Sequence, residues 1–547
     1  MFDFTRHVST RLRRLRTPQA EPMPGTDQRP NSAGGYAWAV DRWTRLDRFL
    51  VLGTEGGTYY VRERPLTQEN AKAALECIAE DGVRVVHRVV EISESGRAPK
   101  NDPALFVLAM AAGLGDDVTR ATALQALEKV ARTGTHLFHW LQYVKAFRGW
   151  GRGVRKAVSR WYTAKTPKDL AYQLLKYQAR DGWSHRDALR LAHPKAPSYE
   201  HDVLFRFAAR GWEAVVGSNA LRTDIGGRLE AVQAVRHMTP AEAARVVRVY
   251  NLTREMVPTQ LLTHPAVWEA LLQTMPLTAL IRNLGVMSKV GLLVPGSETA
   301  RAVVARLGSH EAIQRARLHP LSVLAALKTY AQGRGMKGQG SWTPVAQVID
   351  ALDGAFYLAF GNVPSTGKRI MLALDVSGSM VSPVHGMPYL SCRDASAAMA
   401  LVTADTEPEH RFVAFTTGGY RSMWGTLSSG LTPLSISPRQ RLDDVVKSIG
   451  ELPFGGTDCA LPMVEALKHR WTVDTFVVYT DSETWAGDIH PAEALRAYRE
   501  RMGIAAKLVV VAMASNGFTI ADPNDSGMLD VVGFDTATPQ VISDFIG

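Results

Sequence analysis

The sequence predicts a protein of class α plus α/β, in which an irregular array of helical pairs precedes a doubly wound parallel sheet. Three observations carry that reading. The chain has 547 residues, too many for one hydrophobic core, so two or more domains are expected. Up to about residue 353, apolar residues recur at helical spacing in segments of roughly 12–18 residues joined by short polar turns. Beyond Ser365 the grammar changes to short apolar runs alternating with helical segments, the pattern of repeated β–α units.

In chain order, residues 1–35 come first. They are basic, rich in Pro and Gly, and without the apolar stretch of a secretory signal. A flexible basic arm is expected there. Residues 36–364 form the helical part. "LTQENAKAALECIAEDG" (66–82) has a polar start, places Ala71, Ala74, Leu75 and Ile78 on one helical face, and stops at a Gly. Comparable units are "DPALFVLAMAAGLG", "RATALQALEKVART", "KDLAYQLLKYQARDG", "RLEAVQAVRHMT", "HPAVWEALLQTM" and "HPLSVLAALKTYAQG". They follow no strict period, which points to an irregular solenoid.

Residues 365–547 form the α/β part. "RIMLALDV", "RFVAFTT", "TFVVYTD" and "AKLVVVAMAS" read as buried parallel strands. "CRDASAAMALVTADTE", "GTDCALPMVEALKHR" and "PAEALRAYRERMG" read as the helices between them. Ligands of such sheets sit beyond the carboxyl ends of the strands, where Asp375 and Asp481 fall.

At the first of these ends, "MLALDVSGSM" (371–380) alternates Asp375, Ser377 and Ser379 with Val376 and Gly378. "FGGTDCALPM" puts Thr457 on a Gly-rich loop entering a helix, and "VVYTDSET" puts Asp481 at another strand tip. Two carboxylates and three hydroxyls suit a hard divalent cation, Mg²⁺ above all, with coordination positions left for an acidic group from a partner. Helix caps and turn closures account for any one segment, but all three together favour a metal site. Catalysis fits poorly. The residue two before Ser377 is Asp375, where a nucleophile elbow needs Gly. A phospho-aspartate enzyme would want a carboxylate where Ser377 stands.

Composition bounds the rest. With 46% hydrophobic and 21% charged residues the chain reads as soluble and globular. Cys77, Cys392 and Cys459 form no CxxC pair, so a reducing, cytoplasmic location is expected. No apolar run reaches eighteen residues, so no membrane span is expected. Of the net charge of +10, residues 1–364 hold 49 Lys and Arg against 32 Asp and Glu, and residues 365–547 hold 14 against 21. The first part is the candidate polyanion binder, the second the candidate cation binder.

Within the basic part, residues 131–168 carry nine cations and no acid: Arg132, Lys145, Arg148, Arg152, Arg155, Lys156, Arg160, Lys165 and Lys168. If 153–163 is helical, Val154, Ala157, Val158 and Trp161 line one face, with Arg152, Lys156 and Arg160 opposite. Solvated faces normally mix charge signs, so nucleic acid is the favoured partner. Nearby Lys176, Arg180, His185, Arg186 and His193 extend the patch, with His185 expected to touch RNA. Zinc-finger, RRM and KH signatures are absent from the sequence, which favours recognition of shape and phosphate.

The pattern DxSxS, then Thr, then Asp resembles the metal-ion-dependent adhesion site of von Willebrand factor A domains, with all five positions matched. "NSAGGYAW", "RFLVLGTEGGTYY", "THLFHWLQYVKAFRGWGRGVRKAVSRWY", "DGWSHRDALRLAH", "MPLTALIRNLG", "TGKRIMLALDVSGSM", "PFGGTDCALPM" and "SNGFTIADPNDSGMLDVVGFD" extend the likeness over nearly the whole chain past residue 30. Together they resemble the Ro autoantigen family, RNA-binding proteins of the TROVE module, in its bacterial form. The resemblance implies a ring of HEAT-like helical repeats closed by a doubly wound, Rossmann-like von Willebrand factor A domain. It implies Y RNA on the basic outer surface, near Lys168 and His185, and single-stranded 3′ ends of misfolded RNA in the ring's hole. It further implies links to a 3′-to-5′ exoribonuclease and to stress survival. The expected protein is a monomeric, non-catalytic scaffold of RNA quality control. The alternative is a metal-dependent adhesion or assembly module with incidental RNA binding.

Overall fold

The computed structural model describes residues 16–52, 71–95, 100–219, 224–335, 340–384, 387–417, 430–452, 455–512, 518–532, 542, 543, 545 and 546. Two compact units divide them: residues of 1–73, 319–325 and 359–547 form one, and residues of 74–318 and 326–358 the other.

In the helical unit the expected segments are helices. They include Asp102–Leu114, Asp117–Val130, Gly134–Phe147, Arg152–Thr163, Pro167–Lys176, Asp224–Ala234 and Pro265–Thr274. Side-chain caps start them: the Asp116 carboxylate accepts the Thr119 N–H, and the Thr133 and Thr166 hydroxyls accept the His136 and Asp169 N–H groups. Helix Asp102–Leu114 is buried continuously from Pro103 to Ala112 and packs against Gly134–Phe147. A Cβ on Gly113 would stand 2.6 Å from that of Phe147, so only Gly permits the close approach. The helix that begins at Lys72 breaks beside Gly82, where the sequence places its stop. Asp81 (φ −151°) is the non-helical residue at the break, and its carboxylate caps a second helix, which continues to Ser95, by accepting the Arg84 N–H at 2.9 Å. The expected helix start at 66–70 lies outside the described residues.

The α/β unit is built on a six-stranded sheet in the spatial order Met528–Val532, Lys507–Ala512, Thr475–Thr480, Ile370–Asp375, His410–Phe415, Leu431–Leu434. All pairs are parallel except the last. Every residue of Ile370–Asp375 and of Thr475–Thr480 is buried, as strands covered on both faces must be. Helices Cys392–Thr406, Leu461–Lys468 and Pro491–Met502 fall where the sequence places them, and the last stops at Gly503 (φ +66°).

The expected arm of residues 1–35 is different in kind. Residues 1–15 lie outside the described residues, but 16–39 belong to the α/β unit. Strand Tyr36–Ala39 pairs with Gln28–Pro30 on one side and with Phe518–Thr519 on the other. Met23 and Trp38 enter the same apolar core as Met371, Ala373 and Val478. In the following helix, Arg42–Leu52, the fully buried Arg48 meets the Asp530 carboxylate at 2.7 Å. Side-chain and strand pairing to distant parts of the chain orders a segment whose composition alone suggests disorder.

Candidate metal centre and nucleic-acid interface

Parallel pairing brings the strand ends to one edge. The register Leu374↔Tyr479 sets Asp375 level with Thr480, with Asp481 one residue beyond. Asp375 is bound on both oxygens: Oδ1 accepts the Ser377 N–H at 2.8 Å, and Oδ2 accepts the Thr480 hydroxyl at 2.7 Å. The 3₁₀ turn Gly378–Val381 follows, and Ser377 Oγ lies 3.0 Å from Ser379 Oγ. The Ser379 hydroxyl is near enough to the Asp481 carboxylate to favour its charged form, and Asp481 Oδ1 accepts the Glu483 N–H at 3.2 Å. Thr457 is buried, and its carbonyl accepts N–H groups from Trp485 at 3.1 Å and Ala486 at 3.2 Å. Three loops therefore gather, with Asp375, Ser377 and Ser379 linked by hydrogen bonds, Asp481 beside them, and the Thr457 backbone tied to the loop after Asp481.

The electrostatics are those of a crowded anionic crevice. Burial, then the Asp481 charge, pushes the Asp375 carboxyl up to about 7, and burial also raises Asp481. Burial raises the Cys392 thiol to about 12, with a further push from Asp481. Asp458 is lifted to about 6, again chiefly by burial. Two carboxylates held this close and this deep favour either a shared proton or a cation. The donor set is oxygen-only and fits Mg²⁺. Among the described residues no group of three or more His, Cys, Asp or Glu converges, so the hydroxyls are integral to any such site. Thr480, with its hydroxyl on Asp375, is the partner the sequence reading missed. Its place directly before Asp481 at a strand end was the available signal.

In the helical unit, Val154, Ala157, Val158, Trp161 and Tyr162 are the buried face of Arg152–Thr163. Lys145, Arg148, Arg152, Arg155, Lys156, Lys168 and Arg186 are exposed, and none is ion-paired to a described residue. Other expected contacts are engaged internally. Arg160 pairs with Glu128 at 3.2 Å and donates to the Leu124 carbonyl at 2.7 Å. Lys165 donates to the Trp161 carbonyl at 3.0 Å and sits 3.7 Å from that ring's centre, and burial pulls its ammonium down to about 8. Lys176 donates to the Tyr172 hydroxyl at 2.8 Å.

His185 needs correction as a surface contact. It is buried, its Nδ1 lies 2.7 Å from the Tyr162 hydroxyl and its Nε2 3.3 Å from the Gln173 carbonyl. Phe138 meets its ring edge-on, and burial lowers it to about 4. It is a neutral core imidazole joining three helices.

Comparison with known proteins finds two domains, the first of which begins within the α/β unit. Residues 29–329 match the TROVE domain and residues 369–546 the Ro60 vWA domain. The chain is 44% identical over 534 residues to RNA-binding protein RO60 of Deinococcus radiodurans, with 97% of each chain covered. It is 36% identical over 605 residues to RNA-binding protein RO60 of Caenorhabditis elegans, covering 97% of this chain and 92% of that one. The crystal structure of the Deinococcus radiodurans RO (RSR) protein, 44% identical, matches with a TM-score of 0.73 over 92% of this chain and 99% of that one. A TROVE domain and a Ro60 vWA domain in one chain, at this identity and coverage, place it in the Ro60 family.

Proposed function

We propose that the chain is a non-catalytic RNA-binding scaffold of RNA quality control. The observation that carries the proposal is the set of exposed cations on and around helix Arg152–Thr163, held outward by a buried apolar face and lacking carboxylate partners among the described residues. Both curated relatives are named RNA-binding proteins. Y RNA is the proposed ligand of this surface, with Lys145, Arg148, Arg152, Arg155, Lys156, Lys168 and Arg186 as phosphate contacts. Single-stranded 3′ ends of misfolded RNA would be taken up by the helical repeats. A 3′-to-5′ exoribonuclease as partner, action under stress, a cytoplasmic place and a monomeric state complete the reading.

Mg²⁺ is proposed at Asp375, Ser377, Ser379, Thr457 and Asp481. There it would offset the buried like charges and leave a position for an acidic protein ligand. That ligand is the core of a second reading, in which the α/β unit assembles proteins and RNA binding is secondary. The buried carboxylate pair favours keeping it. Binding of a structured small RNA as a function of salt, with and without Mg²⁺, separates the two. A steep salt dependence indifferent to Mg²⁺ supports the scaffold, and absence of RNA binding at low salt overturns it.

A further inference from the structure

The motif "NSAGGYAW" (31–38) supplies nothing to the RNA surface and no metal ligand, yet it lies against the loop that carries Asp481. Asn31 Nδ2 donates to the Thr484 carbonyl at 2.7 Å, and the Ala33 N–H donates to Glu483 Oε2 at 3.2 Å. The turn is closed internally, with Asn31 Oδ1 accepting the Gly35 N–H at 2.8 Å. A Cβ on Gly35 would fall 2.0 Å from the Thr484 carbonyl oxygen and 2.7 Å from the Trp485 Cα. Both neighbours are backbone and cannot swing aside, so Gly is required for contact.

Further upstream, Gln19 is fully buried. Its side chain donates to Asp458 Oδ1 at 2.7 Å and to the Ile489 carbonyl at 2.9 Å, and its carbonyl oxygen accepts the Thr484 hydroxyl. The Gln19 N–H donates to the Gly487 carbonyl at 2.8 Å. Here too the fit is close, since a Cβ on Gly487 would lie 2.4 Å from both Asp458 Oδ1 and Gln19 Nε2.

The loop so gripped is not relaxed. Ser482, directly after Asp481, has φ +62°, a left-handed conformation that persists in non-Gly residues only where the surroundings over-determine it. The same loop ties Thr457 through the Trp485 and Ala486 N–H groups. We propose that residues 17–38 form a clasp that holds the Asp481 and Thr457 loops in cation-binding shape, with Gln19, Asn31 and Gly35 as positioning residues. The proposal rests on the Mg²⁺ reading above. By linkage the effect is mutual, and a bound cation tightens the clasp by the factor that the clasp tightens the cation.

The test measures Mn²⁺ and Mg²⁺ binding to the full chain by calorimetry and by the electron paramagnetic resonance of free Mn²⁺. Gln19→Ala, Asn31→Ala and Gly35→Ala are compared with Val510→Ala, a sheet-core variant whose side chain makes none of the clasp hydrogen bonds. Each clasp variant should weaken Mn²⁺ binding by about tenfold or more, since Gln19→Ala and Asn31→Ala each remove buried hydrogen bonds worth about a factor of ten apiece and Gly35→Ala drives the turn off the Thr484 carbonyl, while Val510→Ala keeps wild-type affinity at a comparable loss of Tm. Mg²⁺ should also slow amide hydrogen exchange at Gly35 in the wild type. Clasp variants that lose Tm as Val510→Ala does but keep wild-type affinity would overturn the clasp alone. A wild-type chain that takes up no Mn²⁺ would overturn the metal reading and the clasp with it.

Discussion

Replacing Arg152, Arg155 and Lys156 by Ala tests the RNA surface where its geometry is simplest. All three side chains are exposed on one helix and outside every described ion pair, and Ala keeps helix propensity high. Each phosphate neutralised by a cation contributes about −0.9 to the slope of log affinity against log salt for a duplex. Seven exposed cations therefore bound the wild-type slope near about −6, and the triple variant should retain about −4. A slope change of about 2.7 corresponds to an affinity loss of roughly a hundredfold near 0.15 M salt. Filter binding or anisotropy with a structured small RNA from about 0.05 to 0.3 M salt reads both quantities. Lys165→Ala is the internal control, because that ammonium lies on the Trp161 ring and carbonyl. It should cost stability and leave the slope within half a unit or so. A triple variant with the wild-type slope, or a Lys165→Ala change as large as the triple, would refute the outward-cation argument.

Three further predictions concern charge in buried places. His185, lowered to about 4 from 6.5, stays neutral in the native state while the unfolded chain protonates, so its contribution is complete above about 6.5 and is lost as pH falls toward 4. His185→Gln should thus flatten the fall of the urea midpoint between pH 7 and pH 5, and equal slopes would count against the neutral core role. Asp530→Ala leaves the Arg48 guanidinium buried without its 2.7 Å partner and should destabilise by about 3–5 kcal/mol in denaturant titration. An effect under about 1 kcal/mol would show the pair to be solvated. Asp375→Asn relieves the buried like-charge pair; its one amide oxygen can keep the Ser377 N–H while its NH2 donates to the Thr480 hydroxyl oxygen, so Tm should rise in chelator and gain nothing from Mg²⁺. A Mg²⁺ response equal to the wild type would move the cation elsewhere.

Periodicity made the helical elements legible because one face of each must be buried: Val154, Ala157, Val158 and Trp161 obey it directly. Parallel strands were legible for a related reason, since burial on both faces forces continuous apolar runs such as "IMLALD". Asp375 and Asp481 then followed from where such strands end. Partner choice was not legible. Spacing places Arg160 on an outward face but says nothing of Glu128 on another helix, 32 residues away. Nor does it show that Lys165 folds back over Trp161. His185 misled because polar residues around it mark a surface, whereas its own position opens a helix whose first turn is inserted beside Tyr162 and Phe138. Residues 16–39 were hidden most deeply. Their strands span three and four residues, too short to show alternation, and their partners lie some 450 residues away.

Charge also decides which ligand each part of the chain can accept. Residues 365–547 carry 14 Lys and Arg against 21 Asp and Glu. Mg²⁺ held by Asp375 and Asp481 would only cancel the two carboxylates that bind it, leaving an open coordination position without a surplus of positive field. Such a position suits a single carboxylate of a protein ligand, whose one charge is met by direct coordination. It suits a polyanion poorly, because each further phosphate meets an acidic surface and gains no counterion release. The helical unit, residues 74–318 and 326–358, has the opposite balance, with 37 Lys and Arg against 24 Asp and Glu. RNA and the proposed acidic protein ligand would thus be sorted by electrostatics before any shape is read, and raising salt should erode the first interaction far more than the second.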